Sequence, residues 1–103
     1  MLVWSPSLPA GGDAHAGRTE TSVMLALTPD TVRTERIVTG TTTPLGELWE
    51  RLTAGGVAAV SPSGVMGDPT GATAAEGMAL LGTWTSSLRA AVAQWVREVV
   101  RTE

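Results

Sequence analysis

The fold class is decided by residues 43–60, which read TPLGELWERLTAGGVAAV. Thr43 and Pro44 begin a predicted helix whose apolar residues recur at helical spacing, and Gly55-Gly56 ends it with a backbone suited to a C-terminal cap. Residues 57–60 then predict a short buried strand, because they form an apolar run bounded by turn residues. A helix, a double glycine and an apolar strand together form one α/β unit.

Further elements are predicted on both sides of this unit. Residues 2–4 predict a short strand, and residues 19–27 predict a helix that Pro29 ends. Residues 73–99 carry a capping-box pattern followed by apolar residues every three or four positions, which predicts a long amphipathic helix. Three helices and two or three short strands do not make a self-contained sheet. We therefore expect the trailing half of an α/β layer.

Composition limits the functions that the chain can have. The 103 residues suit one small domain or part of one, and the apolar fraction of 43% is that of a globular protein. A net charge of −3, with seven scattered arginines and no lysine, argues against a nucleic-acid partner. The lack of cysteine excludes disulfides and cysteine-ligated zinc. Without a signal peptide or an apolar run of about 18 residues, we expect a cytoplasmic protein with no membrane contact.

Candidate chemistry is concentrated in residues 12–22, which read GDAHAGRTETS. His15 is the single histidine and lies in a glycine-flanked loop, and Glu20 opens the following helix, so both side chains could reach one point. Histidine transfers protons near neutral pH, and glutamate acts as a base or metal ligand. On spacing alone, an ordinary surface histidine and a glutamate placed for the helix dipole remain the more frequent alternative. Asp13 either contacts a ligand or fixes the loop by accepting backbone N–H groups.

Two segments resemble a known family. Residues 15–22 and the helix after them closely resemble the signature of the creatininase family, and residues 61–77, with SPSGVMGDPT followed by AAEG, are similar to its C-terminal segment. The resemblance covers residues 3 to about 90. It implies an α/β fold of three layers with a mostly parallel sheet, assembled as a homo-oligomer. It also implies a pair of divalent metal ions (zinc, iron or manganese) that activate a water to split an amide C–N bond.

The resemblance implies roles for individual residues. His15 matches the loop histidine that passes a proton to the departing nitrogen, and Glu20 matches a metal ligand or a group that orients the metal-bound water. Asp13 and Trp4 are expected to contact the substrate, which in the most similar branch is a modified precursor peptide. Asp68 lies in a turn expected to shape the rim of the pocket. The remaining tryptophans lie on apolar helical faces and are expected to pack in a core or between subunits: Trp49, Trp84 and Trp95.

Other family motifs do not occur in the chain. The upstream Glu-x-His-Gly metal motif with its later Asp, and the Asn-Gly-His segment, are both absent from the sequence. We therefore expect residues 1–103 to be the C-terminal part of a creatininase-like domain whose N-terminal metal-binding half is absent. The alternative is an inactive truncated remnant that acts only as a structural or interaction module. The coding sequence upstream of Met1 would distinguish the two hypotheses.

Overall fold

The computed structural model describes residues 1–9 and 12–102, and these residues are mainly helical. Three α-helices follow one another: α1 (Arg18–Leu27), α2 (Leu45–Gly55) and α3 (Ala74–Thr102). Short 3-10 turns lie at Pro29–Thr31, Thr34–Arg36, Val57–Ala59 and Pro69–Gly71. The three helices predicted from the sequence are confirmed, with bounds that differ by a few residues. The most visible shift is at Pro44, which caps α2 from outside instead of occupying its first turn.

Helices α1 and α3 pack directly against each other. Their crossing is close because Gly77 of α3 has no side chain, and a Cβ at this position would overlap the main-chain carbonyl of Ser22. Ser22 of α1 is completely buried at this contact. The pair of helices therefore holds the beginning of α1, with the loop before it, against the beginning of α3.

A second and smaller packing centre lies beside α2. Leu48 is buried there at 2% exposure together with Val60 and Met66, and the partly buried Leu52 packs against them. These residues come from the helix and from the two loops that follow it. The second loop of the family resemblance is thereby anchored on α2 by an apolar contact.

The predicted strand at residues 57–60 is wrong, because Val57–Ala59 forms a 3-10 turn. The carbonyl of Val57 accepts the N–H groups of Val60 at 3.0 Å and of Ser61 at 2.9 Å, so the backbone bonds locally. Residues 2–4 also have no regular structure. Over residues 1–9 and 12–102 there is no strand, and the predicted mostly parallel sheet is not seen there; one isolated antiparallel bridge joins His15 and Met66.

The N-terminal segment lies along α3 instead of pairing in a sheet. The indole N–H of Trp4 donates to the hydroxyl of Ser87 at 3.1 Å. In the opposite direction, the indole N–H of Trp84 donates to the carbonyl of Ser7 at 2.8 Å. Two tryptophans, each with an apolar ring and one polar donor, therefore attach residues 4–7 to the middle of the helix.

Much apolar surface remains open. The accessible surface is 7198 Å², whereas a compact monomer of this mass exposes about 5,500 Å². Trp49 and Trp95, predicted to pack in a core or between subunits, are 56% and 38% exposed, so neither packs in a core of this chain, and packing between subunits stays a prediction. Trp95 is exposed because the 29 residues of α3 extend about 43 Å and reach well beyond the short α1. No helix of the described residues is long and apolar enough to cross a membrane.

Candidate active site

Asp13 fixes the loop at the beginning of α1. Its carboxylate accepts the N–H of Arg18 at 2.6 Å and the N–H of Thr19 at 3.3 Å. These donors belong to the first turn, where a negative charge also complements the helix dipole. Gly17 is required beside it, because a Cβ there would overlap the Asp13 carboxylate. The loop-fixing alternative for Asp13 is thus what the structure shows, and its substrate contact stays a prediction.

The two family segments are joined at this loop. The N–H of Met66 donates to the carbonyl of His15 at 2.8 Å, and the N–H of His15 donates back at 3.2 Å. The N–H of Asp68 adds a contact to the Asp13 carboxylate at 3.3 Å. Residues that are about fifty positions apart in the sequence therefore form one structural unit around His15.

His15 and Glu20 come together as the spacing predicts. The imidazole Nδ1 of His15 lies 3.4 Å from Oε2 of Glu20, and each side chain is 57% exposed. The same carboxylate oxygen accepts the N–H of Ala16 at 2.7 Å, which holds Glu20 against the loop. Ala16 has a φ of 54°, a left-handed conformation that costs a residue with a Cβ about 1–2 kcal/mol. Strain of this kind clusters at functional sites.

A polar cluster beneath the loop was missed by the sequence analysis. Thr73 and Glu76 match a capping box, and the N–H of Glu76 does donate to the Thr73 hydroxyl at 3.1 Å. The carboxylate of Glu76 does not close the box; it accepts from Arg18 Nε at 2.7 Å and from the Ser22 hydroxyl at 3.2 Å. Ser22 in turn accepts the N–H of Thr73 at 3.1 Å. Ser22 of the family signature therefore completes the cap of α3.

Hydrogen bonds around the loop shift the pKa values of Glu76, Arg18 and Asp68. The hydrogen bond from Arg18, and then that from Ser22, lowers the pKa of Glu76, and the same pairing raises the pKa of Arg18. The pKa of Asp68 is lowered mainly by the Thr70 hydroxyl and N–H groups that it accepts, at 2.6 and 3.1 Å. Asp68 therefore shapes its own turn, in line with its expected place at a pocket rim.

Trp4 lies apart from this cluster. It contacts Ser87, eleven positions after Glu76 on α3, which corresponds to about 16 Å along the helix axis. The structure thus brings His15, Glu20 and Asp13 into one loop and places Trp4 at the middle of α3. Its predicted contact with a substrate remains a prediction.

Three cavities adjoin the loop. One of about 330 Å³ opens between Asp13, Asp68 and the threonine run before α2, and one of about 250 Å³ lies between Asp13, Arg18 and Glu76. The third, about 270 Å³, is lined in part by Glu20. His15 lines none of these three cavities, so Glu20 is the member of the pair that borders one.

The described residues do not fit a complete metal centre. Within them, no group of three or more His, Cys, Asp or Glu side chains is placed to hold an ion. His15 and Glu20 supply two donors at most, whereas each ion of a zinc-type centre takes four or more ligands. A pair of divalent ions would need several ligands that residues 1–9 and 12–102 do not bring to this loop.

Comparison with known proteins places the chain in a class. The creatininase family model, described as creatinine amidohydrolase, matches residues 3–92. The chain therefore belongs to the creatininase family. No solved structure gives a significant match to the chain.

Several curated proteins of one name are similar to the chain. The chain is 51% identical over 92 residues to the mycofactocin precursor peptide peptidase of Mycobacterium ulcerans and 48% identical to that of Mycolicibacterium smegmatis. The peptidase of the same name from Mycobacterium tuberculosis is 50% identical over 93 residues. These matches cover 89–90% of the chain and 37% of each relative, so the chain spans little more than a third of their length.

Proposed function

We propose that the chain is the C-terminal part of a creatininase-like domain that hydrolyses a peptide amide bond in the mycofactocin precursor. The observation that carries this proposal is the contact between His15 and Glu20 at 3.4 Å, on a loop that Asp13 and Met66 hold in place. The family match and the names of the relatives support the reaction class and the peptide substrate.

In this proposal His15 transfers the proton that leaves with the amine. Its Nδ1 faces the Glu20 carboxylate, so Nε2 is the nitrogen available to the departing amide nitrogen. An imidazole can give up a proton near neutral pH, and a neighbouring carboxylate holds the ring in one orientation. Asp13 contributes by fixing the loop through the first turn of α1.

Glu20 and the divalent ions form the other part of the proposal. Glu20 is proposed as a ligand of zinc, iron or manganese, and its Oε2 is already engaged by Ala16. Because the described residues do not complete a metal centre, we assign no chemical step to an ion. We propose that further ligands come from another polypeptide segment, because residues 1–9 and 12–102 bring none to this loop. Assembly into a homo-oligomer is proposed on the family resemblance.

Complementation tests the proposal. We would co-produce the 103-residue chain with the part of the M. smegmatis relative that lies outside the match, and follow cleavage of a modified precursor peptide by mass spectrometry. His15→Ala should slow cleavage by about 100- to 10,000-fold without changing the metal content. Glu20→Gln should lower the metal content as well. Ser86→Ala, at an exposed position of α3, is the matched control.

The possible outcomes separate the hypotheses. Cleavage that depends on His15 supports the enzyme. If the co-produced pair that carries His15→Ala cleaves the peptide at the unaltered rate, His15 takes no part in the mechanism. If the pair without substitutions is soluble but does not cleave the precursor peptide, the result favours an inactive remnant that acts as a structural or interaction module.

A further inference from the structure

A small cavity lies directly beside the His15–Glu20 pair. It measures about 270 Å³ and lies between α1 and the turn that follows it. Its lining residues are Ala16, Glu20, Thr21, Met24, Thr31 and Val32. A volume of this size equals that of about nine water molecules, which is room for one amino-acid side chain.

The walls of this cavity are mostly hydrocarbon. Glu20 and Met24 stand one turn apart on the same face of α1, and Val32 adds an apolar side chain to the wall. The two lining threonines have their hydroxyls engaged internally. The Thr21 hydroxyl donates to the Ala16 carbonyl at 3.4 Å, and the Thr31 hydroxyl donates to the Thr28 carbonyl at 2.8 Å. Few polar groups are therefore free to receive a polar ligand.

Glu20 belongs to both the cavity and the candidate site. Its carboxylate lies 3.4 Å from His15 and also forms part of the cavity wall. An amide bond held at His15 would therefore direct a neighbouring side chain into the cavity. A negative charge on that side chain would be repelled by the Glu20 carboxylate.

We propose that this cavity binds the apolar side chain of the residue next to the amide bond that is cleaved, with Met24 and Val32 as specificity-determining residues. The proposal rests on the proposed function, since it takes the ligand to be a peptide substrate. Pockets that combine apolar walls with a few polar groups at one edge are typical ligand sites. An apolar side chain of matching size should bind at least about 10-fold more tightly than a negatively charged one.

Methyl NMR on the 103-residue chain tests the proposal without any cleavage. The chain contains four methionines, so methyl-labelled methionine gives few signals, and Met24→Leu assigns the relevant one. The probes are N-acetyl-leucine methylamide and N-acetyl-glutamate methylamide, whose side chain carries the negative charge that Glu20 should repel. We expect a saturable shift of the Met24 signal with the leucine probe at about one tenth of the concentration that the glutamate probe needs. Met78, 61% exposed on α3, should not respond.

Matched variants complete the experiment. Met24→Glu should abolish binding of the leucine probe, and Met78→Glu should leave it unchanged. Equal responses to both probes, or an unmoved Met24 signal, would overturn the cavity assignment, even if cleavage in the complemented enzyme depends on His15. If Met24 responds but the complemented pair does not cleave, the proposed function fails and the substrate assignment falls with it.

Discussion

His15 and Met66 are paired through two main-chain hydrogen bonds of 2.8 and 3.2 Å. Met66 is itself buried against Leu48 of α2, so the backbone of the histidine loop is attached to the smaller packing centre. On its other side the loop continues into α1, which is attached to α3 through the Ser22–Glu76 contact. The imidazole is therefore exposed, while the backbone that carries it is held from two directions.

Ser22 should contribute strongly to the packing of α1 on α3. Its hydroxyl accepts the N–H of Thr73, donates to Glu76 and is completely buried. Ser22→Ala removes both contacts and leaves the Thr73 N–H and the Glu76 carboxylate each without one partner, which costs about 1–3 kcal/mol. We expect a lower thermal midpoint by circular dichroism, whereas Ser86→Ala on the exposed face of α3 should have no effect. Equal midpoints for both variants would show that the hydroxyl is not needed.

Acid should weaken the same contact. The pKa of Glu76 is lowered in the folded chain, chiefly by the hydrogen bond from Arg18. The stabilisation is therefore fully present above the ordinary glutamate pKa of 4.5 and is lost as the pH falls through the lower folded value. We expect a thermal midpoint that is flat from neutral pH to about pH 5 and then falls.

Substitution identifies the group responsible for this fall. Glu76→Gln should make the decrease below pH 4.5 shallower, but not abolish it, because the pKa of Asp68 is lowered as well. Glu50→Gln, at an exposed position of α2, is the matched control. An acid profile of Glu76→Gln that superimposes on the unaltered chain would contradict the assignment.

Local sequence patterns were sufficient to predict the helices. Pro29, Gly55-Gly56 and the Thr73 cap all mark helix ends correctly, because caps and breakers act within one turn of the backbone. The strand at residues 57–60 failed because an apolar run is compatible with a strand only if a neighbouring strand accepts its N–H groups. Among the described residues none does so, and the backbone bonds within its own turn.

The candidate site could be predicted in part. The spacing of five residues correctly indicated that His15 and Glu20 would meet, because α1 begins between them. The contact of Ser22 with Glu76 could not be read from spacing, since it depends on how closely α1 crosses α3. A glycine after the capping-box glutamate, Gly77, was the available signal, because small residues permit close helix contacts.

The isolated chain should bind divalent metal weakly. His15 and Glu20 provide at most two donors, and a partial ligand set loses most of the affinity of a closed site. We expect titration calorimetry with zinc or ferrous iron to show no tight binding, and His15→Ala to change the isotherm little. Two tightly bound ions per chain would show that these residues form a metal centre on their own.

The exposed face of α3 should cause the isolated chain to associate. The face comprises six large apolar residues, each at least 38% exposed: Leu88, Val92, Trp95, Val96, Val99 and Val100. Contiguous apolar patches of several hundred Å² are a recognised cause of association. We expect the sedimentation coefficient to rise with concentration, and Val99→Arg to reduce this rise by placing a charge in the face. Gln94→Arg adds the same charge on the polar side and should leave association unchanged. A chain that sediments as one monomeric species at every concentration would show that this face is stable in water.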